Sequence, residues 1–242
     1  MNTKILSQKI GKNLITNDNV FIDKTVEIGD NVVIDSNVTI KNDVKIGDET
    51  RIYYGVQIGS SPQFREYTDK NTGYISIGKN VILREYCTVN LPHYDQTYIG
   101  NDCYIMNHIN ISHDCIMGDR VTVANGSQIG GYCVIDEGVF LGLNSAIHQR
   151  SEVGAYSLIG MNTSINGRIY PFSLVYKDKI SFNLIGVGKN MNFINSDTEN
   201  IISAFLLSQS ADENFLDKVH TNLEKFYKSN YRVLIDEYNR RT

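Results

Sequence analysis

His113 and Asp114 stand side by side in the run ISHDCIMG, residues 111–118. An imidazole takes up a proton near neutral pH, and a neighbouring carboxylate favours one of its tautomers or its charged form, so the pair can serve as a general base. A second histidine, His148, opens the run HQR, and His108 precedes His113 with four residues between them, a spacing that also raises the question of a metal. His93 falls in the stretch LPHYDQT and His220 near the C-terminus, where exposure to solvent accounts for both. Four cysteines, Cys87, Cys103, Cys115 and Cys133, complete the inventory of reactive side chains.

The elements that position these groups follow from an internal repeat. Aliphatic residues recur every sixth position: Ile22, Ile28, Ile34, Ile40, Ile46, Ile52 and Ile58, then Ile77, Leu83 and Val89, then from Ile99 through Ile111, Met117 and Ile129 to Ile165. Four residues after each comes a small or β-branched side chain, such as Val26, Val38, Thr50, Cys103, Cys115 and Cys133. A period of six fits neither a helix nor an antiparallel strand. It fits an all-β solenoid in which three hexads make one triangular coil and successive coils stack as parallel strands about 4.8 Å apart. All four cysteines fall in the small inward slot, which makes them core filler. Gly or Asp often follows the aliphatic residue, as at Gly29, Gly47, Gly100 and Gly130, and is read as the residue that takes the unusual turn conformation. His113 and His148 follow their aliphatics by two and one places and should point outward. Because Ile111 and Ile147 are 36 residues apart, the two histidines share a side two coils along, within about 10 Å axially.

Two breaks interrupt the thread, Ser60 to Tyr74 and Leu91 to Thr97. Both are expected as extruded loops, the first a substrate lid. Beyond Ile165 the period fades, and capping boxes at Ser196/Glu199 and Ser210/Glu213 predict helices. The expected organisation is a β-helix over 1–188 and a C-terminal α-helical region over 189–242. A net charge of −4 among 242 residues gives no basic field for nucleic acid. No apolar run approaches a membrane span and the first residues lack a signal-peptide pattern, so a cytoplasmic location is expected.

The hexad pattern resembles the hexapeptide-repeat proteins, which implies a left-handed parallel β-helix and a homotrimer. The segment from Asn110 to Gly160, with HDC, GG and HQ in register, and the preceding IGKNVILREYCTVN further resemble the UDP-N-acetylglucosamine acyltransferases of lipid A synthesis. That resemblance implies acyl transfer from acyl carrier protein to the 3-hydroxyl of UDP-N-acetylglucosamine. His113 would be the base, Asp114 its partner and the Gly131 amide the oxyanion donor. Gln63, Asn110, His148, Gln149, Asn183 and Lys189 would contact substrate. No metal or redox cofactor is implied, the acyl donor being an acyl carrier protein or CoA thioester. The His108/His113 spacing also resembles trimeric β-helical carbonic anhydrases, but the third histidine that family needs is missing near Asn71 to Ser76.

The chain departs from the acyltransferase pattern at several places. Asn110 and Tyr132 stand where the family has histidines, and Lys189 alone replaces a pair of arginines at the diphosphate. Leu143 and Met161 replace small residues along the acyl groove, which predicts a short or medium acyl chain. The alternatives are an acyl-CoA-dependent O- or N-acyltransferase acting on another nucleotide-linked sugar for surface glycans, and a non-catalytic β-helical scaffold.

Overall fold

The computed structural model describes residues 3–41, 43–65, 73–169, 171, 173–177 and 179–182. They belong to a unit of the chain spanning Met1–Asn183. The expected boundary at 188 and the expected helices over 189–242 lie outside the described residues, as do Asn183 and Lys189.

Each hexad forms one short strand, and every third strand pairs in parallel with its counterpart one coil on. Among the described residues three sheets result: nine strands from Lys4–Ile5 to Ser164–Ile165, nine from Lys9–Ile10 to Arg168–Ile169, and ten from Ile15–Thr16 to Lys179–Phe182. The register keeps the ladder in line, with Ile111 opposite Ile129 and Ile129 opposite Ile147. The periodic aliphatics and their small partners are both buried, so each hexad sends two side chains into one continuous core. An inward Ile removes enough apolar surface from water to contribute roughly 1.5–3 kcal/mol. The four cysteines are free, buried thiols, and burial pushes those of Cys87 and Cys103 up to about 12.

Two features differ from the sequence reading. The left-handed conformation falls three residues after the aliphatic, not one, as at Asn31 (φ 58°), Asp114 (φ 57°), Tyr132 (φ 60°) and Arg150 (φ 65°). The glycine that follows the aliphatic serves close packing instead: a Cβ on Gly47 would lie 2.6 Å from the carbonyl of Gly78 in the next coil. The strands also continue past Ile165. Ser173–Tyr176 extends the third sheet in parallel and Lys179–Phe182 folds back antiparallel against it, ending the repeat in a hairpin.

Candidate active site

The first sheet carries the outward residues of interest at one corner. Its strands Asn110–Ile111, Gln128–Ile129 and Ala146–Ile147 pair in sequence. The second residue past each aliphatic is therefore His113, Gly131 and Gln149 on successive coils, and the third is Asp114, Tyr132 and Arg150. His148 and Gln149 are exposed, with His148 Nδ1 3.1 Å from the Gln149 carbonyl oxygen.

Asp114 takes the left-handed corner conformation that Asp tolerates, which turns its carboxylate back to His113, Oδ2 lying 2.8 Å from Nδ1. An ionised carboxylate only accepts, so the network assigns the proton to Nδ1 and leaves Nε2 with its lone pair. Both residues are buried, at 7 % and 5 % exposure, although they lie outside the core. The cover is the loop 91–97. Its amides of His93, Tyr94 and Asp95 donate to Asp114 at 2.7, 2.9 and 3.4 Å. Thr97 Oγ1 accepts from the Asp114 amide and donates to the carbonyl of Asn90, both at 3.0 Å.

Burial alone would raise the Asp114 pKa, but the bond to His113 and the three amides more than offset it and hold the carboxyl below its ordinary 3.8. The stability it contributes is thus present at neutral pH and is lost as pH falls through that depressed value. Asp114→Asn puts an NH₂ against a nest of donors and should cost about 1–3 kcal/mol in urea unfolding at pH 7. The gap from wild type should close as pH falls below the ordinary carboxylate value; a gap that persists once the carboxyl is protonated would count against the ionised clamp.

His93 is not a solvent-exposed loop residue as its position predicts. It is half-buried, its ring 4.4 Å from Phe64, 4.3 Å from Tyr94 and 6.4 Å from His113, with Nδ1 3.3 Å from the Tyr132 hydroxyl. Tyr132 meets His113 edge-on at 4.9 Å and Phe64 lies 6.1 Å from it. Phe64, His93 and Tyr132 therefore wall the imidazole. Gln63, one residue away from Phe64, is exposed. Gly131 closes the remaining side, where a Cβ would lie 2.6 Å from His113 Cε1 and 2.7 Å from Nε2. Among the described residues no acceptor takes the Gly131 N–H. At the corner after the second sheet, by contrast, the corresponding amides of Asp30, Lys79 and Asn101 are capped by Asp48, Asn101 and Asp119.

Asn110 keeps its hydrogen bonds within the coil wall: Oδ1 accepts from Thr88 and Asn90, and Nδ2 donates to Ser112. Leu143 and Met161 are exposed and occupy equivalent places on successive coils. His108 belongs to a different corner, stacked on Tyr86 at 5.2 Å. Among the described residues no three His, Cys, Asp or Glu side chains gather to hold a metal, and no helix is long and apolar enough to cross a membrane.

The parallel solenoid and its hexads are similar to those of hexapeptide-repeat proteins: the family model for bacterial transferase hexapeptide (six repeats) matches residues 25–60 and 96–131. The chain is similar, more particularly, to UDP-N-acetylglucosamine acyltransferases. A relative from Herminiimonas arsenicoxydans, named acyl-[acyl-carrier-protein]–UDP-N-acetylglucosamine O-acyltransferase, is 32% identical over 124 residues, 50% of this chain and 47% of the relative. The chain spans about half the length of such curated relatives. The solved UDP-N-acetylglucosamine acyltransferase from Campylobacter jejuni superposes with a TM-score of 0.73 at 26% identity, covering 91% of this chain and 94% of that one. The corresponding structure from Bacteroides fragilis gives 0.68 at 27% identity, with 90% and 88% covered.

Proposed function

We propose that the chain is an acyltransferase that moves an acyl group from acyl carrier protein to the 3-hydroxyl of UDP-N-acetylglucosamine, the opening reaction of lipid A synthesis. The observation that carries the reading is the geometry of one imidazole. His113 is held by an ionised carboxylate through Nδ1 and presents Nε2 beside a glycine whose amide is unclaimed, in a chain similar to proteins of that name.

The attacking hydroxyl loses its proton to His113 Nε2 as its oxygen bonds to the thioester carbon. The oxyanion that forms accepts from the Gly131 N–H, already fixed and needing little reorganisation. Collapse of the tetrahedral species expels the thiolate, which takes up the proton held by His113. The reaction as proposed calls for no metal or redox cofactor. His148 and Gln149, on the coil two rises from the base, are the proposed contacts to the acceptor, with Gln63, Asn110, Asn183 and Lys189 as further proposed contacts. The proposed assembly is a homotrimer in the cytoplasm, and the outward row of the third sheet, Val33, Arg51, Ile82, Tyr104, Thr122, Phe140 and Leu158, apolar but for Arg51 and Thr122, is the face proposed for it.

The test is to incubate the purified protein with UDP-N-acetylglucosamine and a panel of acyl carrier protein and CoA thioesters, reading acylated sugar nucleotide by mass spectrometry. Turnover only with CoA donors, or only on another nucleotide sugar, would favour the surface-glycan alternative. Leu143 and Met161 bear on chain length. If they line the acyl groove as proposed, Leu143→Gly combined with Met161→Gly should shift the preferred donor towards longer chains by several-fold in kcat/KM, each added methylene being worth about 0.8 kcal/mol. An unchanged preference would remove both residues from the groove.

A further inference from the structure

The 18-residue coil stacks Asp114, Tyr132 and Arg150 at one corner on three successive coils. Asp114 holds the base, Tyr132 stands edge-on to it at 4.9 Å, and the Arg150 guanidinium carbon rests 4.5 Å from the centre of the Tyr132 ring. Arg84, Arg120 and Arg168 each face a glutamate. Arg150 has its ring contact without a carboxylate: among the described residues none forms an ion pair with it, whereas Arg84, 4.6 Å from the Tyr53 ring, is also held by Glu85. Its backbone is fixed as well, since its amide donates to the Gly131 carbonyl at 2.9 Å.

A guanidinium stacked on an aromatic face has its orientation set while its N–H edge stays free for an anion, and that edge matches the oxygens of a phosphate in a way no ammonium does. We propose that Arg150, held on Tyr132, is a phosphate-binding residue of this site, gripping the phosphate next to the sugar of the nucleotide-linked acceptor. This rests on the acyl-transfer reading and adds the group that holds the acceptor's charge.

The spacing favours the acceptor as the source of that phosphate. Arg150 lies two coil rises from His113, about 10 Å. A phosphate on the anomeric carbon of a sugar whose own ring hydroxyl reacts at His113 bridges such a span, whereas the phosphate of a phosphopantetheine arm is separated from its thioester by a much longer chain. Arg150 also lies on the row next to Gly131 and Gln149, so the bound phosphate, the sugar and the reacting oxygen would follow one edge of the solenoid.

The experiment compares the full chain with Arg150→Ala and Arg150→Lys. Steady-state kinetics vary acceptor and donor separately, and calorimetry measures binding of UDP and of inorganic pyrophosphate without any donor. Arg150→Ala should raise KM for the nucleotide sugar about tenfold, the effect of one lost charge-assisted hydrogen bond. The effect should fall on KM far more than on kcat, and UDP and pyrophosphate binding should weaken in parallel. Arg150→Lys should restore part of the loss, because it keeps the charge without the planar fork. A rise in KM for the donor alone would keep a phosphate at Arg150 and assign it to the donor. Unchanged KM values and unchanged pyrophosphate binding would overturn the site and leave acyl transfer standing. No acyl transfer by wild type, with pyrophosphate binding that still depends on Arg150, would fail the acyl-transfer reading and retain the site.

Discussion

His113→Ala is expected to lower kcat/KM for acyl transfer by about 10³-fold, within the range that a positioned general base supplies, while leaving the solenoid folded. The two halves of this expectation come from different parts of the structure. The imidazole points outward from the coil and its removal takes nothing from the inward ladder, so the solenoid should stay folded, with a loss of stability limited to the bond to Asp114 and the ring contacts. Among the described residues the chemistry has no substitute for it nearby: His93, the nearest of their other imidazoles, is centred 6.4 Å away with Nδ1 against the Tyr132 hydroxyl, and Asp114 faces three amides of loop 91–97. Product formation by the variant within tenfold of wild type, in a preparation free of host acyltransferase, would rule out His113 as the base. A variant that unfolds would be replaced by His113→Gln, which keeps a polar group of similar reach beside Asp114 but cannot take up a proton near neutral pH.

The solenoid was legible because one period decides everything about it. A side chain six residues on returns to the same place in the wall, so Ile22 to Ile58 and Ile99 to Ile165 declare both the strands and the core. The position of the left-handed residue was not legible from glycine, because the demand on Gly47 and its equivalents is contact with the next coil, and the turn is met by Asn, Asp, Tyr or Arg two places later. The hairpin at Lys179–Phe182 leaves the parallel stack and so leaves the six-residue rule.

The site divides in the same way. His113 and Asp114 are neighbours in sequence and fix each other locally, and Gly131 lies one coil on. His93 reaches the site by a loop that abandons the period, and its contacts with Asp114 and Tyr132 span 21 and 39 residues. Nothing in LPHYDQT announces them. Tyr132 and Arg150 were within reach: adding 18 to Asp114, and 18 again, lands on both, the same arithmetic that paired His113 with His148. What the arithmetic cannot supply is that the guanidinium lies on the ring, since side-chain stacking depends on the rotamers of an exposed arginine and a half-buried tyrosine.

Gly131→Ala should cost about 10²-fold in kcat without removing any hydrogen-bonding group. The new Cβ would sit 2.6 Å from His113 Cε1, 2.7 Å from Nε2 and 3.2 Å from Nδ1, too close for the ring to stay where it is. The imidazole cannot simply swing aside, because Nδ1 is bound to Asp114 at 2.8 Å and Tyr132 stands at its edge. Either the ring shifts and Nε2 leaves its line to the acceptor hydroxyl, or the Gly131 corner moves and carries the oxyanion donor with it. A displacement near 1 Å at a reacting group costs on that order. The backbone N–H survives the substitution, so the loss reports geometry and separates this variant from one that deletes a donor. Substrate KM should change less than kcat, since the acceptor contacts proposed at Gln149 and Arg150 lie one coil further along. Wild-type kcat in Gly131→Ala would mean that the imidazole has room the structure does not give it, and would place the acceptor hydroxyl on some other side of His113 than the one Gly131 faces.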